Sequence, residues 1–571
     1  MTLPFEALRT GTLPLRAGTE TAIPLAPGGH WFGHGFSHDQ PFPLETGSIA
    51  NDAFAVNNIQ CPIWMCTAGI ALLLETTAPI AVAVNRDGDG LLRLAPSEDA
   101  PLRVFAADTL AAARTALLAH LRADARPPVR PDLYGDCFFC TWTQFPRCIT
   151  QDRVLAMGRE IRDRGYPCST IVIDDRWENN FGELEFSPDF PDPAGMFAEL
   201  HRLGFQALLW TTPFVNREAA TFPGLERDGV LVPRRDGAGA AMLRWWGGEA
   251  GLVDVTNPVG RDWFRQRLLH LRRLGADGFK IDGGDAKYQP SPDIAAFHDP
   301  QGASGFSDAL LALYEEIAPG LCETRTAWLS QQRAILWRLG GKDSHWGRDN
   351  GLKAMLNLAL HLALAGYDSI LPDMVPGRVQ TMDASDPLPT DELMVRWTEL
   401  SAFLPLLQFS YYPWNYAAPV ADAVLALARL HKALQDYLAR HAADVCGAPL
   451  LRPMGWGAAA GSERWAVADQ YFLGDDLLVC PVLDPGLDAR PVAIPGDGWL
   501  DAWTGTPAAP GPHDAWPAPC PGIPVFVRAV NASLAATLRE ALSRLSRGTV
   551  PTGVTTATWQ AGIHRDLSVT G

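Results

Sequence analysis

The chain has 571 residues, 47% of them hydrophobic and 19% charged, with 19 tryptophans and a formal charge of −17. It is too long for one ordinary core and too apolar for a disordered or coiled-coil protein. The acidic balance argues against nucleic acid or an anionic membrane as partner.

Taken in chain order, "MTLPFEALRTGTLPLRAGTE" has no apolar core of signal-peptide length, and no later apolar run approaches the roughly 18 residues of a membrane span. The expectation is a cytoplasmic protein without a membrane segment; homo-oligomerisation is left open. Residues 1–130 read as a β-sandwich: strand-length runs such as "GIALLLET" and "PIAVAVN" are bounded by turn residues, and the Pro/Arg stretch "ARPPVRPD" closes the unit. From 131 to 440 eight short apolar runs alternate with helical stretches: "YGDCFFCTW", "STIVIDD", "FQALLWTTPF", "GFKIDGG", "LCETRTAW", "AILWRLGGKD", "YDSILPDM" and "FLPLLQFS". Asp192-Pro193 opens one helix and Gly204 closes it; Asn257-Pro258 opens another and Gly275 closes it. Strand–helix units in this number predict an α/β fold, a (β/α)8 TIM barrel. An insert near 216–256 interrupts the pattern, and between the fifth and sixth runs there is no room for a helix. Residues 441–530 return to strands and turns, a C-terminal β-sandwich, and 531–571 form a helical tail. The pair Cys137 and Cys140 in "CFFC" lies in a predicted strand, where residues three apart face opposite ways, so two free core thiols are expected rather than a metal half-site or a disulfide.

The chemistry is expected where barrel strands end. Asp282 ends the fourth run in "GFKIDGGD". Asp174 and Asp175 follow "IVI", Asp343 follows "LGGK", and Asp373 follows "ILP". A lone strand-end Asp is usually a cap or turn residue; the recurrence at four strands argues for carboxylates converging on one cavity. Two chemistries use such a ring: glycoside hydrolysis by a carboxyl pair and divalent-metal chemistry. Trp142, Trp177, Trp210, Trp245, Trp246, Trp328, Trp337 and Trp346 lie at or near the strand ends. Such rings stack on sugars, although they are also ordinary core material. They tip the reading towards sugar. Lys280, two residues before Asp282 on the same strand face, would help keep that carboxylate ionised.

From about Trp31 to Arg528 the sequence resembles glycoside hydrolase family 31. The resemblance is carried by "HWFGHGF…QPFPLE", "IVIDDRWENNFGELEFSPDFPDPAGMFAELHRLGFQALLWTTPFVN", "WWGGEAGLVDVTNP", "GFKIDGGD", "ELMVRWTELSAFLPLLQFS" and "YFLGDDLLVCPVL…GWLDAWTG…IPVFVR", in that order. It implies that Asp282 is the catalytic nucleophile and Asp343 the general acid/base, with Asp349 as fallback because "GGKD" departs from the commoner Trp-x-Gly-Asp. It implies that Asp174 holds sugar hydroxyls, with Asp175, Trp210, Trp246, Lys280, Arg333, Trp346, Asp373 and Gln408 as further substrate contacts. Asp285 matches the acidic residue after the nucleophile, in a structural or a binding role. No cofactor and no metal are implied. Where many α-glucosidases of the family carry Arg-x-His after the eighth strand, this chain has Gln408-Phe409-Ser410. With "KDSHWG", "ILPDM" and "LPLLQFSYYPWNY", that departure resembles the branch holding myogenesis-regulating glycosidase and related bacterial α-galactosidases. A retaining α-glycosidase acting on α-galactosides is therefore the first expectation. α-Glucosidase, α-xylosidase, sulfoquinovosidase (with Arg333, Arg338 and Lys342 as cations for the sulfonate) and transglycosylase remain alternatives. A metal-dependent barrel enzyme and a non-catalytic sugar-binding relative are readings of a different class.

Overall fold

The computed structural model describes residues 2–25, 29–52, 58–123, 129–145, 148–291, 293–299, 302–378, 389–444 and 446–552. Residues 125–128 of the "ARPPVRPD" boundary lie outside these residues, as does the tail from 553 onwards.

All eight apolar runs form barrel strands: Cys137–Cys140, Cys168–Ile173, Gln206–Thr211, Gly278–Ile281, Cys322–Thr324, Leu336–Arg338, the split pair Ile370–Leu371 and Met374–Val375, and Leu407–Phe409. They pair in parallel in sequence order. The sheet closes on itself because the two halves of the seventh strand reach opposite neighbours: Trp337 pairs with Ile370, and Met374 with Gln408. The break falls at Pro372, which lacks an N–H for the ladder, and at Asp373, whose φ of 65° is left-handed. The Asp373 side chain accepts from Lys342 N at 3.2 Å and from Arg338 Nη1 at 2.8 Å, which holds this uncommon backbone conformation for a non-glycine residue.

The anticipated helix signals are in place. Asp192 caps Pro193–Arg202 by accepting from Gly195 N, and Gly204 (φ 81°) follows. Asn257 caps Pro258–Leu274 by accepting from Val259 N, and Gly275 (φ 123°) ends it. The fifth and sixth strands are joined without a helix. The insert is a three-stranded antiparallel sheet of Phe214–Asn216, Met242–Trp245 and Gly248–Leu252, with a short helix Phe222–Arg227. Its hairpin turn carries Trp246.

Ahead of the barrel stand a five-stranded and a four-stranded antiparallel sheet with their own core around Trp31, Trp64, Leu72 and Leu94. Behind it come a six-stranded and a two-stranded sheet, then the helix Ala532–Leu542. Both flanking units are tied to the barrel by buried polar contacts. Gly33 N donates to His361 Nδ1 at 3.1 Å and Gln60 N to Ala327 O at 3.0 Å. On the other side Glu399 Oε1 accepts from Ile523 N at 3.0 Å, and Arg396 donates to Ala518 O at 2.6 Å. Cys137 and Cys140 are free and buried on their strand. No helix among the described residues is long and apolar enough to cross a membrane.

Candidate active site

The inward-facing positions of the central strands carry charge where a barrel interior is ordinarily apolar. Lys280 on the fourth strand pairs in register with Trp210 on the third and Glu323 on the fifth. All three are buried. Lys280 Nζ donates to Asp174 Oδ2 at 2.6 Å and stands 3.8 Å from Glu323 Oε1; Gln408 Nε2 donates to Glu323 Oε2 at 2.8 Å. Cys140 Sγ donates to the same Asp174 oxygen at 3.0 Å. Burial would pull the Lys280 ammonium down, but Asp174 and Glu323 hold it above its ordinary value. Burial pushes Glu323 up, against Lys280 and Arg338. Lys280 and Gln408 are thus committed to a buried ionic layer beneath the strand ends.

Above this layer sits Asp282. Trp210 Nε1 donates to its Oδ2 at 3.0 Å, and Arg325 Nε meets its Oδ1 at 2.6 Å, with Arg338 Nη2 at 3.7 Å. Burial alone would raise this carboxyl; Arg325 and Arg338, with the indole N–H and Lys280, outweigh it and hold the group below the usual carboxylate value. Asp282 is accordingly ionised at neutral pH, poised by two guanidinium groups. Arg338 continues to Asp373 at 2.8 Å. Burial would also raise Asp373, and Arg338, Lys280 and Lys342 reverse it. Asp175 is buried beside Asp174; burial and that neighbour push its carboxyl well above its ordinary value, and its Oδ1 makes no hydrogen bond among the described residues.

Asp343 lies on the loop after the sixth strand. Its Oδ2 accepts from Asn350 Nδ2 at 2.9 Å, and Arg378 Nε lies 3.4 Å from Oδ1. The next residue back, Lys342, joins it to the cluster through Asp373. Asp349, the fallback, is solvent-exposed beside His345. Asp285 is buried past the same strand end, accepting from Asn58 N at 3.2 Å, a contact from the N-terminal unit. Trp246 is 44% exposed, over the Arg325 guanidinium at 5.0 Å and edge-on to Tyr288 at 5.1 Å. It is the aromatic face presented outward next to the carboxylates.

Several expected contacts take other places. Arg333 precedes the sixth strand, at the end of the barrel opposite the carboxylates, and is held by Asp308 at 2.6 Å and Glu315 at 3.1 Å on the helix Gly302–Ile317. Trp210 bonds the nucleophile position through its N–H and is itself buried, so it acts by hydrogen bonding and not as a sugar platform. Trp177, Trp328 and Trp337 are buried: Trp177 donates to Trp210 O, Trp328 donates to Thr76 O, and Trp337 packs edge-on to Tyr367. Trp142 and Trp346 pack, partly buried, against the barrel core. The site's main cations, Arg325 and Arg338, were passed over as partners of Asp282. For Arg325 the one signal is its alternation with Glu323, two residues earlier on the strand Cys322–Thr324, which places both on the same face.

An inward tier of charge beneath a carboxylate flanked by arginine and indole defines a barrel enzyme of the glycosidase type, and comparison with known proteins agrees. The pattern of the glycosyl hydrolases family 31 TIM-barrel domain matches residues 133–441, that of the glycosyl hydrolase family 31 C-terminal domain residues 447–531, and that of the myogenesis-regulating glycosidase N-terminal domain residues 12–130. The chain belongs to glycoside hydrolase family 31. Mouse (Mus musculus) myogenesis-regulating glycosidase is 30% identical over 495 residues, covering 82% of this chain and 69% of that protein. The 1,3-alpha-isomaltosidase of Kribbella flavida is 28% identical over 453 residues, covering 68% of this chain and 60% of that one. A family 31 α-xylosidase from a soil metagenome, solved with xylose, shares the fold with a TM-score of 0.77 at 23% identity, over 92% of this chain and 80% of its own.

Proposed function

We propose that the protein is a retaining α-glycosidase whose preferred substrates are terminal α-galactosides. The observation that carries the glycosidase mechanism is the setting of Asp282: a carboxylate at the end of the fourth strand, gripped at one oxygen by Arg325 and at the other by the Trp210 N–H, and held ionised. Asp282 attacks the anomeric carbon as the glycosidic C–O bond breaks, and Asp343 gives its proton to the departing oxygen. A glycosyl ester of Asp282 results. Asp343, now a carboxylate, takes a proton from water as that water attacks the same carbon and releases Asp282. Two inversions retain the α configuration, and the two carboxyl groups of such a pair lie about 5–5.5 Å apart. An alcohol entering in place of water gives transglycosylation by the same route.

The galactose preference is supported by the branch resemblance of "KDSHWG", "ILPDM" and "LPLLQFSYYPWNY", and by the eighth strand, where Gln408 turns inward to Glu323 instead of supplying an Arg-x-His contact. Relatives named as α-xylosidase, isomaltosidase and sulfoquinovosidase keep glucose-like glycones in play. The sulfonated sugar is the least supported of these. Arg333 is held by Asp308 and Glu315, Arg338 by Asp373, and Lys342 Nζ donates to Leu339 O at 2.8 Å and Asn350 Oδ1 at 3.3 Å. A metal-centred reaction fits the carboxylates poorly, since Asp174, Asp282 and Asp373 each face a Lys or Arg at 2.6–2.8 Å that would repel a divalent ion. The test is a panel of nitrophenyl α-glycosides (galactose, glucose, xylose, sulfoquinovose) followed by NMR that resolves the product anomers. The α-galactoside is expected to be cleaved fastest, with α-galactose as first product. β-Galactose first would overturn the retaining mechanism, another glycone would replace galactose, and sugar binding by calorimetry without turnover would make this a binding protein.

A further inference from the structure

Asp343 is asked to serve as acid and then as base, yet it stands on a loop and not on a strand. What fixes its carboxyl is a short relay. Lys342, fully buried, donates through Nζ to Leu339 O at 2.8 Å and to Asn350 Oδ1 at 3.3 Å, under the ring of Phe36 at 5.0 Å. Asn350, itself buried, donates through Nδ2 to Gly341 O and to Asp343 Oδ2, both at 2.9 Å. The backbones are cross-tied as well: Asp343 N donates to Asn350 O at 3.0 Å. An ammonium has donors and no acceptor, so it bonds only the oxygen end of the amide. The NH2 end is then forced towards Asp343. Without the lysine, the two ends of the amide are nearly equivalent in shape, and a flip would set oxygen against oxygen.

Resting on the acid/base assignment of Asp343 above, we propose that Lys342 and Asn350 are positioning residues that dictate which oxygen of Asp343 carries the catalytic proton. Oδ2 receives an N–H and has no use for a proton of its own. Oδ1 makes no hydrogen bond among the described residues and has only the Arg378 guanidinium, at 3.4 Å, nearby. The transferable proton therefore resides on Oδ1. When it passes to the leaving oxygen, the charge left on the carboxylate is received by the N–H already in place at Oδ2. In the second half-reaction Oδ1 takes the proton of the attacking water. In "GGKD" a lysine stands directly before the acid/base, where the commoner family form has glycine.

A general acid matters in proportion to how poor the leaving group is, so the test compares kcat/KM for a 2,4-dinitrophenyl and a methyl glycoside of the best-cleaved sugar. Asp343→Ala serves as reference and should widen the ratio between the two substrates by roughly 10²-fold or more. Lys342→Met and Asn350→Ala, each checked for folding by circular dichroism, should each widen it by roughly tenfold or more. Because the lysine acts through the amide, the double variant should be no worse than Asn350→Ala alone. If both substrates fall together in the single variants, or the double variant is additive, the relay is only structural and the inference is overturned while Asp343 keeps its role. If Asp343→Ala leaves the ratio unmoved, the acid/base assignment falls first and the relay with it.

Discussion

In the proposed mechanism the chemistry turns on Asp282, and its behaviour follows from its partners. Replacing it by Asn should leave a folded protein with a rate loss of roughly 10⁴-fold or more. Its guanidinium partner offers a finer check. Arg325 is half-buried, its charge maintained by Asp282 and Asp285 against desolvation, and it lowers the Asp282 carboxyl. The acid limb of kcat/KM reports the ionisation of the nucleophile in the free enzyme. Arg325→Gln removes a cation that favours the ionised form, so the limb should move to higher pH, with kcat/KM at neutral pH falling roughly ten- to a hundredfold. A limb that stays in place would show that Asp282 does not govern it. The strand-end place of Asp282 was legible in the sequence because an apolar run ended on it; Arg325 was overlooked because an arginine one residue past a strand reads as ordinary loop unless its alternation with Glu323 is weighed. Arg333 was misjudged for a related reason. It precedes its strand, and in a parallel barrel that places it at the end away from the carboxylates, a consequence of direction that residue type alone does not reveal.

At the scale of the element, the strand end "IDGGD" depends on two left-handed glycines. Gly283 has φ 77° and Gly284 φ 79°, and a Cβ on Gly283 would come within 2.5 Å of Phe214 Cε2, a buried ring packed on Trp245. The pair lets the chain turn out of the strand directly after Asp282 while Gly283 N donates to Asp282 Oδ1 at 3.2 Å. Gly283→Ala combines a disfavoured φ with a clash against the insert sheet. It should cost about 1–3 kcal/mol of stability and lower kcat more than it raises KM, measured by thermal unfolding and steady-state kinetics. Loss of stability with unchanged kcat would mean that the turn does not aim the nucleophile. The eight strands were legible because each is a short apolar run with flanking turn residues. The break in the seventh strand was not, because "ILPDM" reads as a strand end, and only the pairing of Met374 with Gln408 shows that the strand resumes after Asp373.

Across the whole molecule, the N-terminal unit is tied to the barrel by buried polar contacts: Asn58 N donates to Asp285, and His361, on the barrel helix Leu352–Leu364, accepts from the strand Trp31–Gly35. His361 Nδ1 accepts from Gly33 N, so Nε2 carries the hydrogen and donates to Pro41 O at 3.0 Å. The bond from Gly33 N needs the neutral ring, because a protonated Nδ1 has no lone pair to accept it. Burial pulls His361 down to about 3, against an unfolded value of about 6.5. The folded pKa is the lower one, so the unfolded chain binds the proton first as pH falls. The stabilisation is fully present above about pH 6.5 and is lost progressively below it, by about 2 kcal/mol between pH 6.5 and 5 from this one residue. His34 and His431, each buried and pulled down to about 4, add in the same direction. His361→Gln keeps an acceptor and a donor but cannot titrate. At pH 7 it should be somewhat less stable than the parent, from imperfect packing. Between pH 6.5 and 5 it should lose less stability than the parent does, by about the 2 kcal/mol assigned to the ring. Thermal melts of both proteins across that window measure the difference directly. Parallel pH profiles for the two would place the acid-sensitive seam elsewhere, with His34 and His431 the next positions to substitute.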